Sequence, residues 1–271
     1  MGPTELTALR ILTTFSIITL TLSGCDARPP ELFSPLPERR RQVYELAGSG
    51  FERVDLVFPM PDASRSEVNL APLIVEEIRG DGDPSDHAET QVEFRRQEVT
   101  LAGRTRSQIC YRWHLPAAEA ANAPHAQGVR LTLDASGHPA IIELLARQNG
   151  LRVIYVSKSL ENTARTAHGP PLPGRRHAIE RGVEEQPTVV VARVLPESAA
   201  PLGPFVYLEY GTRRVVTMLC RCEPSRLSDA RGTRSYSLQE IVKDFADEDR
   251  MLDEAADPRW LERALRLPSD F

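Results

Sequence analysis

The sequence predicts an α+β fold, a mixed or mostly antiparallel sheet with helices at the C-terminus. Three observations carry that prediction. Between residues 92 and 222, short segments alternate apolar and polar side chains, the period of a half-buried strand. Breaks rich in Gly, Pro and Asn separate these segments. Helix signals cluster at the C-terminus, after residue 237.

Taken in order, residues 26–40 hold four prolines, which favour extended, polyproline-like backbone. Residues 25–40 therefore read as a semi-rigid tether ahead of one domain spanning 41–271. Residues 79–90 form a polar loop. Residues 92–101 and 105–115 make an antiparallel pair across Ala102-Gly103, and residues 129–133 alternate cleanly. Residues 139–148 leave two readings open. Pro139 at the start and Asn149-Gly150 at the end suit a short helix, yet Asn-Gly also suits a hairpin. Residues 151–156, 188–194, 205–210 and 214–222 are strands, the last two joined through Gly211-Thr-Arg, with loops at 168–177 and 196–204. Ser237-Leu-Gln-Glu240 fits a capping box and opens a helix carrying Leu238, Ile241, Val242 and Phe245. Pro258 starts a second helix with Trp260, Leu261, Ala264 and Leu265, giving a helical C-terminal segment over 237–271. No internal repeat of solenoid or propeller length is present.

Composition narrows the function classes. The chain has 271 residues, 41% of them hydrophobic, enough to bury a core and unlike a disordered chain. A net charge of -5 disfavours non-specific nucleic-acid binding, and no nucleic-acid partner is expected. No window approaches the roughly 18 unbroken apolar residues of a membrane span.

An address stands at the start. The run from Ile11 to Gly24 is apolar but diluted by threonines, with Arg10 ahead of it and Glu5 before that, the make-up of a signal-peptide h-region. It ends in Leu22-Ser23-Gly24-Cys25. This tetrapeptide resembles the lipobox of bacterial lipoproteins, a resemblance confined to residues 1–25. It implies that the bond before Cys25 is cut and that Cys25 carries the lipid (palmitate among its acyl chains), a two-chain anchor of the kind that holds stably. Asp26 resembles the signal that retains some lipoproteins at the inner membrane. The resemblance thus implies a domain held on the extracytoplasmic side of the cell membrane, with the bilayer as partner through acylated Cys25. Arg39-Arg40-Arg41 either touches anionic headgroups near that anchor or forms a solvated basic face.

The candidate chemistry lies in three cysteines beyond Cys25. In an extended strand Cys220 and Cys222 share a face, with Cα atoms about 6.6 Å apart, near the upper limit for a disulfide. That face continues through Val216 and Met218, so core packing or half of a disulfide is the first reading, and soft-metal ligation the second. Cys110, in Cys110-Tyr-Arg-Trp-His114, is the natural partner for one of them in an oxidising compartment, leaving one thiol over. A sharper alternative gathers Cys110, His114, Cys220 and Cys222 into a thiol or metal site. The other histidines, His87, His125, His138, His168 and His177, sit beside loop-forming residues and suit solvent. Asp81, Asp83 and Asp86 resemble a calcium-loop fragment, but Asp86 stands where the loop needs glycine and Val92 where it needs glutamate. Arg79-Gly80-Asp81 is too short to carry an adhesion reading. Gly48-Ser-Gly50 lacks the third glycine of a dinucleotide loop, and no local signature of a hydrolase, nucleotide-binding loop or zinc protease occurs.

Two expectations follow, from different classes. The first is a lipid-anchored, non-catalytic binding or interaction domain of the cell envelope, without a cofactor, whose partner is an envelope protein or ligand. The second is a thiol- or metal-dependent module built on Cys110, His114, Cys220 and Cys222. A third, an envelope hydrolase, requires a cleft with paired carboxylates or a Ser/His pair.

Overall fold

The computed structural model describes residues 35–48, 53–62, 66–78, 91–114, 126–210, 212–222, 230–241 and 259–271. The signal and lipobox reading with Cys25, the acidic triplet Asp81, Asp83 and Asp86, and His87 and His125 lie outside the described residues. In chain order the elements are α1 (Leu36–Ala47), β1 (Val54–Pro59), α2 (Ser66–Leu70), β2 (Leu73–Glu77), β3 (Gln91–Leu101), β4 (Arg104–His114), β5 (Ala126–Leu133) and β6 (Pro139–Leu144). They continue with β7 (Arg152–Ser157), α3 (Lys158–His168), β8 (Val189–Leu195), β9 (Pro204–Leu208), β10 (Val215–Cys220), β11 (Ala230–Glu240) and α4 (Trp260–Ala264).

One mixed sheet of eleven strands dominates, ordered β10-β9-β2-β1-β11-β3-β4-β5-β6-β7-β8, and it curls into a nearly closed barrel. The α+β expectation holds in its coarse form, with the sheet far outweighing the helices. Alternation along the strands builds two layers. Ile109, Tyr111, Trp113, Val129 and Leu131 point into the barrel with Val190, Val206 and Met218. On the outer surface, Ile141, Ile154, Val156, Val189 and Val191 are covered by Leu160 and Ala164 of α3 and by Trp260, Leu261 and Ala264 of α4.

Local chemistry explains the hairpins. Ala102 and Gly103 both take positive φ (49° and 76°), and so do Asn149 and Gly150 (50° and 74°). Two consecutive left-handed residues are what a two-residue hairpin matched to strand twist requires. The Asn-Gly pair therefore turns the chain from β6 back onto β7, and of the open segment 139–148 residues 139–144 are strand. Ser157 caps α3 by accepting from the Leu160 amide, and Gly169 (φ 80°) ends it.

Two expectations are corrected here. Residues 237–240 are not the start of a helix but the end of β11, paired in parallel with β3 (Ser237 opposite Gln91, Glu240 opposite Phe94). β11 also pairs in parallel with β1, so it fills the gap between two strands whose open edges need donors and acceptors. That demand outweighs a four-residue capping signal. The second correction concerns the tether, because α1 begins at Leu36 and takes residues 36–40 into the fold. The expected second C-terminal helix is present as α4, a short one. No helix among the described residues is long and apolar enough to cross a membrane.

The seam between edge strands β8 and β10 is sealed by α1. The carbonyl of Ala47, at the end of α1, accepts from Arg193 of β8 at 3.2 Å and from the Thr217 hydroxyl of β10 at 3.0 Å. The arginine triplet divides, Arg39 and Arg40 turning onto the fold and Arg41 staying exposed on α1. Arg39 donates to the Asn149 carbonyl, buried Arg40 donates to the Pro187 carbonyl, and Arg41 is ion-paired with Glu38 and Glu45.

Candidate functional site

At one rim of the barrel the ends of β7, β8 and β10 meet the starts of β6 and β9. The loop 196–203 crosses this rim from β8 to β9, and beneath it lies a small cleft with a volume of about 30 Å³. Its apolar wall includes Ile142, Leu195, Leu202 and Leu219, and its polar rim His138, Ser157 and Glu197. Gly203 fixes the loop where it lands. A Cβ there would stand 2.0 Å from the Leu70 carbonyl oxygen, so only glycine passes this close to the end of α2.

Cys220 lines this cleft and is bonded to Cys222. This corrects the expectation of a bridge from Cys110. The chain leaves the strand at Cys220 and turns through Arg221 and Cys222, which shortens the Cα–Cα distance to 5.1 Å, inside the usual disulfide range. The turn is pinned by Arg221, which donates to the Ala71 carbonyl and to the Asn69 carbonyl at 3.4 Å. The two sulfurs sit differently. Cys220 is buried and Cys222 is exposed, its Sγ 3.7 Å from the Pro196 carbonyl oxygen.

Cys110 is a free thiol on the outward side of β4, on the face opposite Ile109 and Tyr111. Part of its surface stays open, but the sulfur itself is crowded by protein. This burial pushes the thiol up to about 12, against the pull of the neighbouring Arg130 guanidinium. Cys110 is therefore not brought to Cys220 and Cys222, and the His114 side chain lies outside the described part of the structure. Among the described residues no group of three His, Cys, Asp or Glu side chains is arranged to hold a metal.

Polar chemistry at the cleft centres on Glu197, which sequence reasoning missed because its partners lie some 40 residues away. Ser159 donates to its carboxylate through the hydroxyl and, at 3.2 Å, through the backbone amide, and the Ser157 hydroxyl lies 3.1 Å from that of Ser159. Partial burial pushes the Glu197 carboxyl up. The bonds from Ser159 and Ser157, with the nearby His138, outweigh it and hold the carboxyl below its ordinary range. Both hydroxyls are thus engaged in holding Glu197 and capping α3. Among the described residues no histidine ring is hydrogen-bonded to a serine hydroxyl.

Paired carboxylates do occur, but inside the barrel. Asp55 of β1 stands opposite Glu76 of β2, and both are buried. Glu76 is ion-paired with Arg234 at 2.5 Å, whereas neither oxygen of Asp55 has a hydrogen-bond partner. Neither residue lines the cleft. The remaining described histidines serve the fold: His168 contacts the Leu267 carbonyl, and burial holds the His177 imidazole below its usual range. No family model matches the chain, and no curated protein or solved structure matches it.

Proposed function

We propose that this protein is a lipid-anchored domain of the bacterial cell envelope, held on the extracytoplasmic face of the membrane, that binds a partner rather than transforming a substrate. The observation that carries this reading is Leu22-Ser23-Gly24-Cys25 at the end of an apolar, threonine-diluted run. A diacylated Cys25 supplies the two-chain attachment that stable anchoring needs. The disulfide between Cys220 and Cys222 fits an oxidising, exported location.

Ten residues separate Cys25 from Leu36 of α1, a stretch that spans at most about 35 Å. The barrel then works close to the headgroups, and its partner is an envelope protein or ligand reachable from the bilayer surface. The cleft beneath loop 196–203 is the surface we assign to that partner.

The test is Cys25→Ala, expressed in a bacterium that processes lipoproteins. The expected result is loss of the lipid-dependent shift in migration and transfer of the domain from the membrane to the soluble fraction. A variant that stays with the membrane at unchanged migration would sink the reading.

A further inference from the structure

We infer that the Cys220–Cys222 disulfide is a thiol–disulfide exchange site that oxidises a dithiol in a polypeptide reaching the exposed Cys222 sulfur. The bridge is poorly suited to be a structural staple. It links residues two apart in sequence, so it removes little freedom from the unfolded chain. The strand it terminates is already held by its ladder to β9, and the turn by Arg221 on the Asn69 and Ala71 carbonyls.

The surroundings of the two sulfurs set a direction for exchange. Only Cys222 is exposed, so its Sγ is the atom an incoming thiolate can reach. The leaving sulfur is then that of Cys220. The Cys222 backbone amide donates to the Cys220 Sγ at 3.0 Å, an interaction that strengthens when the sulfur carries negative charge. Among the described residues Cys222 has no such donor, its Sγ lying 3.7 Å from the Pro196 carbonyl oxygen, and it is the poorer leaving group of the two. Exchange therefore starts at Cys222 and expels Cys220.

The first thiolate of the partner attacks Cys222 Sγ, the bond between the two sulfurs breaks, and its electron pair leaves on Cys220. The partner's second thiolate then attacks the partner sulfur of this mixed disulfide and displaces Cys222. The partner loses two electrons and gains a disulfide. Cys220 and Cys222 gain those electrons and take up the two protons that the partner thiols gave up. Half-buried Leu202 beside the bridge offers an apolar contact to the segment flanking the partner's cysteines. This inference rests on the anchored, extracytoplasmic reading only for an oxidised compartment, and its test does not involve the lipid.

The experiment uses the purified full chain in detergent and a peptide with two cysteines flanked by apolar residues, followed by alkylation and mass spectrometry. The expected result is about one equivalent of peptide disulfide per chain, formed at least tenfold faster than with the Cys220→Ser/Cys222→Ser double variant. Reduction of the wild-type chain leaves its unfolding temperature essentially unchanged. With glutathione disulfide, the Cys220→Ser chain forms a mixed disulfide at Cys222, while in folded Cys222→Ser protein Cys220 stays unmodified. A bridge that resists reductant until denaturant is added, or a Cys220 as readily modified as Cys222, would overturn the inference.

Discussion

Three cysteines in one fold illustrate how position decides reactivity. Cys110 sits against Arg130 and Glu143 on the outer side of β4, where burial pushes its thiol up to about 12, so at neutral pH it is a protonated packing group. In the folded protein it should resist iodoacetamide and react once denatured, which mass spectrometry of the alkylated chain reads directly. The same shift has a consequence for stability. An unfolded thiol ionises near pH 8.5, while the folded one holds its proton to about 12. The unfolded state therefore binds fewer protons above pH 8.5, and stability falls as pH rises. The contribution of Cys110 is fully present below about pH 8.5 and is lost as pH climbs toward 12. Between about pH 8.5 and 10, before unfolded tyrosines ionise, Cys110→Ala should flatten this fall in urea titrations; an unchanged slope would contradict the burial argument. None of this was legible in the sequence. Alternation put Cys110 and His114 on one face of a strand, but which face is covered depends on α4, some 150 residues later. The Cys220–Cys222 pairing was hidden for a related reason, because a strand-based distance does not foresee the turn that begins at Cys220.

Elements were legible where a local signal and the tertiary demand agreed. The hairpins at Ala102-Gly103 and Asn149-Gly150 followed from residues that accept positive φ, and β5, β7, β8, β9 and β10 from clean apolar segments. Helices α1 and α3 and strands β1 and β2 were not read. α1 opens in the proline-rich stretch, whose Pro35 and Pro37 suit a helix start as well as an extended tether. The short α4 matters more than its length suggests, because it is fixed by a buried charge. Arg130 of β5 grips Glu143 of β6 with two hydrogen bonds, 2.6 and 2.5 Å, and the Trp260 indole N–H donates to the same carboxylate at 2.5 Å. Burial pulls the Arg130 guanidinium down, and Glu143 more than restores it. Glu143→Gln strands a buried cation and weakens the anchor of α4, so it should cost about 3–5 kcal/mol in urea unfolding. The double replacement Arg130→Met/Glu143→Leu should recover part of that loss, since no charge is then left unpaired, while the Trp260 indole N–H that loses its acceptor keeps about 1–3 kcal/mol of the cost. A double variant as unstable as the single one would mean that the ion pair does more than satisfy itself.

At the scale of the whole molecule, the order of strands in space departs from their order in the chain at one decisive place. β11, almost the last element, lies between β1 and β3 near the middle of the sheet. Without it the sheet falls into two halves, β10-β9-β2-β1 and β3 through β8, each left with an open edge. The register shows how tightly it is held: Gly232 to Tyr236 run beside Asp55 to Pro59, and Ser237 to Glu240 beside Gln91 to Phe94. Tyr236, fully buried, also donates its hydroxyl to the Pro72 carbonyl at 2.6 Å, tying the strand to the start of β2. Closing a sheet around a strand 146 to 177 residues distant in sequence from its neighbours is a long-range contact of the kind that slows folding and makes it all-or-none. Its consequence is that the barrel cannot form in pieces as the chain emerges. A proline at Arg234, which pairs with Val57, removes a backbone donor that the β1 ladder uses in a central strand, along with the ion pair to Glu76. Arg234→Pro should abolish the single cooperative unfolding transition and open the amides of β1 and β3 to hydrogen exchange together, whereas a proline at Ser198, in the loop over the cleft, should leave both intact. If instead β3 through β8 keep their protection in Arg234→Pro, that half folds alone, and the barrel is two cooperative units joined by β11 rather than one.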